Sequence, residues 1–159
     1  MKYIYTGKTK IDPDTGIKLR QVKYPKTGVV GGWIEKDSNL SQEGNARVSG
    51  DARVYDNARV YGDARVYGDA LVSGEAAVYG NARVCGNAQV SSPRHCVSVT
   101  GLIFPVTVTP QNVRVGCKLY TWEQVRRMTV TRAVKDGLPK GCYKTLKPII
   151  LAIMRDMPK

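Results

Sequence analysis

Five arginines recur on a fixed beat in the middle of this chain. Arg47, Arg53, Arg59, Arg65 and Arg83 each precede a valine, and Tyr55, Tyr61, Tyr67 and Tyr79 each follow one. Guanidinium forks grip phosphate and carboxylate groups, and aromatic rings can stack on bases. A second basic set lies further on, comprising Arg126, Arg127, Arg132, Lys135, Lys140, Lys144 and Lys147. It suits contact with nucleic acid or with an acidic protein, and phosphate attraction of this kind weakens steeply with salt. The plainer readings are a solvated wall whose arginines pair with Asp51, Asp63 and Asp69, and a polar helix face that confers solubility. No recognition-helix, zinc-finger or RNA-binding signature accompanies either set, so sequence-specific binding is not expected.

Catalytic chemistry has little to draw on. The chain has one histidine, His95, beside Cys96, and it is the single candidate for a general base. One histidine cannot furnish a three-histidine metal site within a chain. Cys85, Cys96, Cys117 and Cys142 are scattered without a CxxC pair, which suits reduced, structural thiols. No metal and no cofactor is expected. No Gly-rich phosphate loop, serine elbow or paired carboxylate constellation appears.

The elements that position these residues follow from a repeat. Residues 44–91 read as eight six-residue units: GNARVS, GDARVY, DNARVY, GDARVY, GDALVS, GEAAVY, GNARVC and GNAQVS. A period of six fits neither the 3.6 residues of a helical turn nor a long hairpin; it fits a short strand plus a corner, stacked. Strand alternation turns each valine inward and its arginine and tyrosine neighbours outward. Gly-Asp or Gly-Asn makes the corner, because both types tolerate left-handed backbone angles, and alanine fills a narrow inner position. Val48 to Val90 and Ala46 to Ala88, each taken every six residues, should therefore line one continuous core.

These units resemble the hexapeptide pattern of left-handed β-helix proteins. The lead-in Gly31-Gly32-Trp33-Ile34-Glu35, followed by Asn39-Leu40-Ser41 and the first GNARV, is similar to hexapeptide-repeat proteins often encoded by bacteriophages and prophages. The tail, with Pro105-Val106-Thr107-Val108-Thr109 and Gly116-Cys117, looks like the tails of some of them. The resemblance implies a short left-handed parallel β-helix of about three to four triangular coils, three hexapeptides to a coil. Residue i then lies under residue i+18, about 4.8 Å away. Arg47, Arg65 and Arg83 form a full column on one face. Arg53, Leu71 and Gln89 form the second, and Arg59 and Ala77 the third. Tyr61 stacks with Tyr79, and Tyr67 sits between Ser49 and Cys85. Arg47, Arg65 and Arg83 with Tyr61, Tyr67 and Tyr79 make the candidate anion site. The family also includes acyltransferases with a histidine base and metal-dependent carbonic anhydrases, and its members are commonly trimers.

Caps must close such a tube, because terminal coils expose apolar core and unpaired strand edges. Residues 1–43 are expected to supply an N-terminal hairpin, with strands at 2–6 and 17–24 around the turn Asp12-Pro13-Asp14-Thr15-Gly16, and an irregular first coil over 28–43 plugged by Trp33 and Ile34. Residues 92–159 form a basic α+β cap, with strands around 96–103, 105–109 and 112–116. A helix over about 122–136 opens on the capping box Thr121-Trp122-Glu123-Gln124 and stops at Gly137. A second, amphipathic helix carries Leu146, Ile149, Ile150, Ile153, Met154 and Met157, with Pro148 in its first turn. Trp122 and this apolar face pack the cap or an oligomer contact, a trimer being favoured.

Charge distribution sharpens the picture. Of a net +12, residues 1–43 hold eight Lys/Arg against five Asp/Glu, the repeat five against five, and residues 92–159 twelve against three. The basic excess sits in the C-terminal cap. No signal-peptide or membrane-spanning run appears, so a cytoplasmic protein is expected. The function that follows is a non-enzymatic β-solenoid binding protein of phage type. It engages an anionic partner such as nucleic acid, a nucleotide or an acidic host protein, and by resemblance it acts on host machinery, including defences. The alternatives are a purely structural or oligomerisation protein, and an acyltransferase-like enzyme using His95.

Overall fold

The computed structural model describes residues 1–158. The chain is mainly β: a solenoid of about three turns, closed at both ends, with a small helical region after it. The N-terminal strands β1 (Ile4–Ile11), β2 (Lys18–Tyr24) and β3 (Val29–Ile34) run antiparallel in order. The eight repeat strands β4 to β11 are two residues each: Arg47–Val48, Arg53–Val54, Arg59–Val60, Arg65–Val66, Leu71–Val72, Ala77–Val78, Arg83–Val84 and Gln89–Val90.

Parallel pairing stacks these strands into three walls. Arg47 pairs with Arg65 and Arg65 with Arg83. Arg53 pairs with Leu71 and Leu71 with Gln89. Arg59 pairs with Ala77. The eighteen-residue register is therefore the one the hexads imply. Every repeat valine and alanine on the inner side is at most 1% exposed, and together they form a single core. Corners adopt positive φ, for which glycine carries no Cβ penalty. Asp56 stands in for glycine at φ 56°, and its carboxylate accepts a hydrogen bond from the Gly74 amide at 3.1 Å in the next coil.

The N-terminal cap is more than a hairpin. β3 pairs antiparallel with β2 on one edge and parallel with β5 on the other, so one strand welds the cap to the tube. Ile34 is fully buried, but Trp33 is not a plug. It pairs with Arg53 on the outer wall, with the Lys10 ammonium 4.4 Å from its ring centroid. Period-two alternation makes this unavoidable, since neighbours on a strand cannot both point inward. Tyr3 and Tyr24 plug the end instead, at 1% and 2% exposure. The Tyr24 hydroxyl receives the Val48 amide at 2.7 Å and donates to the Val48 carbonyl at 3.0 Å. Asn39 donates to the carbonyls of Asp56 and Ala58. Side chains thus occupy backbone groups that the first coil would otherwise leave unpaired.

The last coil is sealed in the same way from the C-terminal side. A meander follows the repeat: β12 (Val97–Val99), β13 (Val106–Val108), β14 (Asn112–Val115) and β15 (Lys118–Thr121). Thr107 accepts the Arg83 amide at 3.1 Å, Gln111 accepts the Gln89 amide at 2.8 Å, and Asn112 donates to the Cys85 carbonyl at 3.3 Å. The fourth strand, β15, is additional to the three expected and runs into the capping box at Thr121.

The single helix expected over 122–136 is two: α1 (Trp122–Arg127) and α2 (Val130–Lys135). The Thr121–Gln124 capping box starts α1, and Thr129 accepts the Arg132 amide to start α2. A threonine that caps through its side chain competes with helix continuation, and the flanking β-branched residues favour the break. The long helix α3 runs Lys140–Asp156, so Pro148 lies in its middle, not its first turn. The bond Pro148 forgoes would end on the exposed Lys144, where water can serve that carbonyl. Leu146, Ile150, Met154 and Met157 are buried, while Ile149 and Ile153 are half-buried. With Val106, Val108, Val113, Val115 and the half-buried Trp122 they make a second core. Among the described residues no helix is long and apolar enough to cross a membrane.

Candidate functional site

The arginine column is a consequence of register. Each arginine precedes an inward valine, so each projects outward, and three successive coils superpose Arg47, Arg65 and Arg83. The cap then closes over them. β14 pairs with β13, which is tied to the last coil through Thr107, and this places Arg114 over the same face. A cleft of about 350 Å³ results, lined by Tyr24, Val29, Arg47, Ser49, Arg65, Tyr67, Arg83 and Arg114. Four guanidinium groups thus share one concavity, and no carboxylate lines it.

The expected pairing of the column with Asp51, Asp63 and Asp69 does not occur. Among the described residues no carboxylate lies within 4.0 Å of Arg47, Arg65, Arg83 or Arg114. Asp63 instead accepts from the Asn45 amide group at 2.7 Å, one coil away, and Asn57 and Glu75 make the equivalent bond at 2.8 Å. Asp56, Asp63 and Glu75 are therefore spent on amides of the neighbouring coil. The repeat arginine that is paired is Arg53, on the second wall, which reaches the buried Asp12 at 2.5 Å and Asp14 at 3.5 Å.

The aromatic partners differ from those the spacing suggested. Tyr67 does line the groove, beneath Arg114, whose guanidinium carbon is 5.5 Å from the ring centroid. Tyr24 forms the opposite wall, with the Arg47 guanidinium 5.2 Å from its ring. Tyr61 and Tyr79 stack on each other, centroids 5.3 Å apart and planes 10° from parallel, but outside the groove. Burial pushes the Tyr67 hydroxyl up to about 12, helped by the neighbouring Cys85 thiol. Arg114 Nη1 donates to Cys85 Sγ at 3.4 Å, while its buried Nε has no partner.

A second cleft of about 470 Å³ continues from the first, sharing Tyr24 and Arg47 and adding Lys2, Lys26, Gln42 and Asn45. It too has no acidic lining residue. Lys2 is half-buried there, and burial, then the Arg47 charge, holds its ammonium below the usual lysine range. Sequence spacing gave no sign of Arg114, Tyr24 or Lys2, because all three arrive from the caps.

The other candidate residues are dispersed. His95 is half-buried, and its Nδ1 contacts the Ser91 amide at 3.3 Å and the Ser91 hydroxyl at 3.2 Å, remote from the arginine groove. Cys96 packs against the solenoid core, and burial pushes its thiol up to about 12. Among the described residues no cluster of three or more metal-ligating side chains occurs. In the basic cap, Arg127 pairs with Glu123 at 2.8 Å and Arg132 with Asp136 at 3.1 Å. Arg126 lies 5.8 Å from the Trp122 ring, and Lys147 donates to the Met128 carbonyl at 2.8 Å. Lys135, Lys140 and Lys144 are exposed. A cap cleft of about 490 Å³ is lined by Arg127 and Arg132, but unlike the groove it also holds a carboxylate, Glu123.

Residues 52–66, 58–74 and 76–92 match a family model described as the YdcK beta solenoid repeat. The chain is thus similar to that repeat over most of its hexads. No curated protein matches the chain.

Proposed function

We propose that this protein is a β-solenoid binder whose working surface is the arginine groove, and that its ligand carries phosphate or clustered carboxylate groups. One observation supports the reading above others: Arg47, Arg65, Arg83 and Arg114 line one cleft without a counter-charge. Like charges gathered in a concavity focus the field and raise the local concentration of anions. Guanidinium forks also bond such groups bidentately. The proposal is of a binder and not a catalyst, supported by the position of His95, which spends Nδ1 on Ser91 away from the groove. The resemblance to phage-encoded hexapeptide proteins extends the proposal to a partner in the host cell, including its defence machinery.

The test separates site from bulk charge. In one variant Arg47, Arg65 and Arg83 become alanine; in the other Lys135, Lys140 and Lys144 do. Each loses three positive charges. Binding of a fluorescent nucleoside triphosphate and of a short oligonucleotide is followed by anisotropy at fixed salt. The groove variant should lose at least tenfold in affinity, and the cap variant less than threefold. Equal losses would mean that net charge, and not the groove, attracts the ligand.

The homo-oligomer is carried forward as a proposal with a geometric constraint. Because side chains occupy the edges of both terminal coils, subunits would have to meet through lateral walls or the α3 face and not end to end. Light scattering at micromolar concentration decides it, a clean monomer refuting the idea.

A further inference from the structure

The groove has a shape as well as a charge. Its cations are laid out in a line: Arg114 and Arg83 at the capped end, then Arg65, then Arg47, with Lys2 and Lys26 in the adjoining cleft. Successive rungs of the column are one strand spacing apart, about 4.8 Å. The two clefts share Arg47 and Tyr24 and so adjoin, with Arg114 lining one and Lys26 the other.

The aromatic rings of this path are already occupied. Tyr24 is 2% exposed, and its hydroxyl is spent on both backbone groups of Val48. The Tyr67 ring lies under the Arg114 guanidinium. The exposed pair, Tyr61 and Tyr79, stands outside and stacks on itself. Nucleic-acid grooves of the stacking kind offer an open ring to successive bases, and this one offers none.

We infer that the groove takes a linear chain of phosphates, three or more units long, and reads it by charge alone with no base contact. This rests on the reading of the groove as an anion site. A free polyphosphate and the phosphate tail of a nucleotide present the same chemistry, and the test separates them. Lys2 is held below the usual lysine range by burial first and by the Arg47 charge second, and a polyanion lying between the two cations relieves the second. The line of cations predicts that affinity grows with the number of linked phosphates and that the far end matters for long chains only.

Titration calorimetry of the full chain at constant ionic strength compares orthophosphate, tripolyphosphate, long-chain inorganic polyphosphate, adenosine monophosphate, adenosine triphosphate and a single-stranded oligonucleotide. Tripolyphosphate should bind at least tenfold more tightly than orthophosphate. Adenosine triphosphate should match tripolyphosphate within threefold, and adenosine monophosphate should match orthophosphate. Arg65→Gln should weaken every chain and reduce the salt slope by about one. Lys2→Ala should weaken long-chain polyphosphate by severalfold and leave tripolyphosphate unchanged, which also shows that the variant is folded. If the monophosphate nucleotide or the oligonucleotide binds as tightly as tripolyphosphate, the inference fails and the anion groove stands. If none of the six binds, both fail.

Discussion

Replacing Gly74 by alanine should be far more damaging than replacing Gly80, although both open a hexad. Both adopt left-handed backbone, at φ 56° and 59°. For an alanine that conformation costs about 1–2 kcal/mol. The difference lies in the neighbouring coil. A Cβ built on Gly74 would meet the Ser91 carbonyl oxygen at 2.5 Å, whereas one built on Gly80 meets nothing within 4 Å. Carbon–oxygen approaches below 3.0 Å are essentially absent from real structures, so the Gly74 corner must open by about half an ångström. It cannot do so freely, because Ser73 donates to the Val90 carbonyl at 2.9 Å directly beside it. Such forced shifts cost about 1–3 kcal/mol. The expectation is about 1 kcal/mol for Gly80→Ala and about 3 kcal/mol for Gly74→Ala. In a chain of this size each kcal/mol lowers the melting temperature by about 2–4 °C. Thermal unfolding by circular dichroism should therefore show drops of about 3 °C and about 9 °C. Equal drops would refute the argument that inter-coil contact, and not backbone angle alone, makes these corners glycine.

Other outcomes follow from the same geometry. Asp12→Ala leaves the half-buried Arg53 guanidinium only the exposed Asp14, 3.5 Å away, and should cost about 3 kcal/mol in urea unfolding. Burial alone would raise the Asp12 carboxyl, but its bonds to Arg53 and Thr15 prevail and hold it below its ordinary 3.8. That stabilisation is complete above about pH 5 and fades as pH falls through the lower folded value. Asp12→Asn should accordingly flatten the acid limb of the stability profile. Val66→Ala, in the central coil, removes a fully buried branched side chain and should cost about 2–3 kcal/mol by the same assay. Asn112→Ala leaves the Cys85 carbonyl without its cap and should cost about 1–3 kcal/mol, with faster amide exchange in the last coil as the sharper readout.

What the sequence disclosed was whatever repeats. A strict six-residue beat places valine, alanine, glycine and arginine at fixed points of every coil, so walls, core and the Arg47–Arg65–Arg83 column follow from the spacing alone. What it concealed depends on long-range packing. Arg114 sits 31 residues beyond Arg83 on a strand of another sheet, and reaches the groove only because Thr107, Gln111 and Asn112 seal the last coil. Tyr24 comes from the opposite end through its bonds to Val48. The helix break at Thr129 turns on one side-chain bond, and Pro148 is tolerated because the carbonyl left without its donor belongs to the exposed Lys144. None of these has a period.

The coupling of a uniform wall to two separate lids has an evolutionary consequence. The N-terminal lid meets the first coil and the C-terminal lid reaches back as far as Tyr67, so an inserted copy of eighteen residues, such as 62–79, would offer each lid the same neighbours it has now. It would lengthen the tube by a single step of about 4.8 Å and insert one more guanidinium between those already there. Reach along the groove can therefore change only in whole increments, by duplication or deletion of DNA in frame, while point substitution tunes the strength of each increment. The molecule is built like a ruler whose graduations are charges.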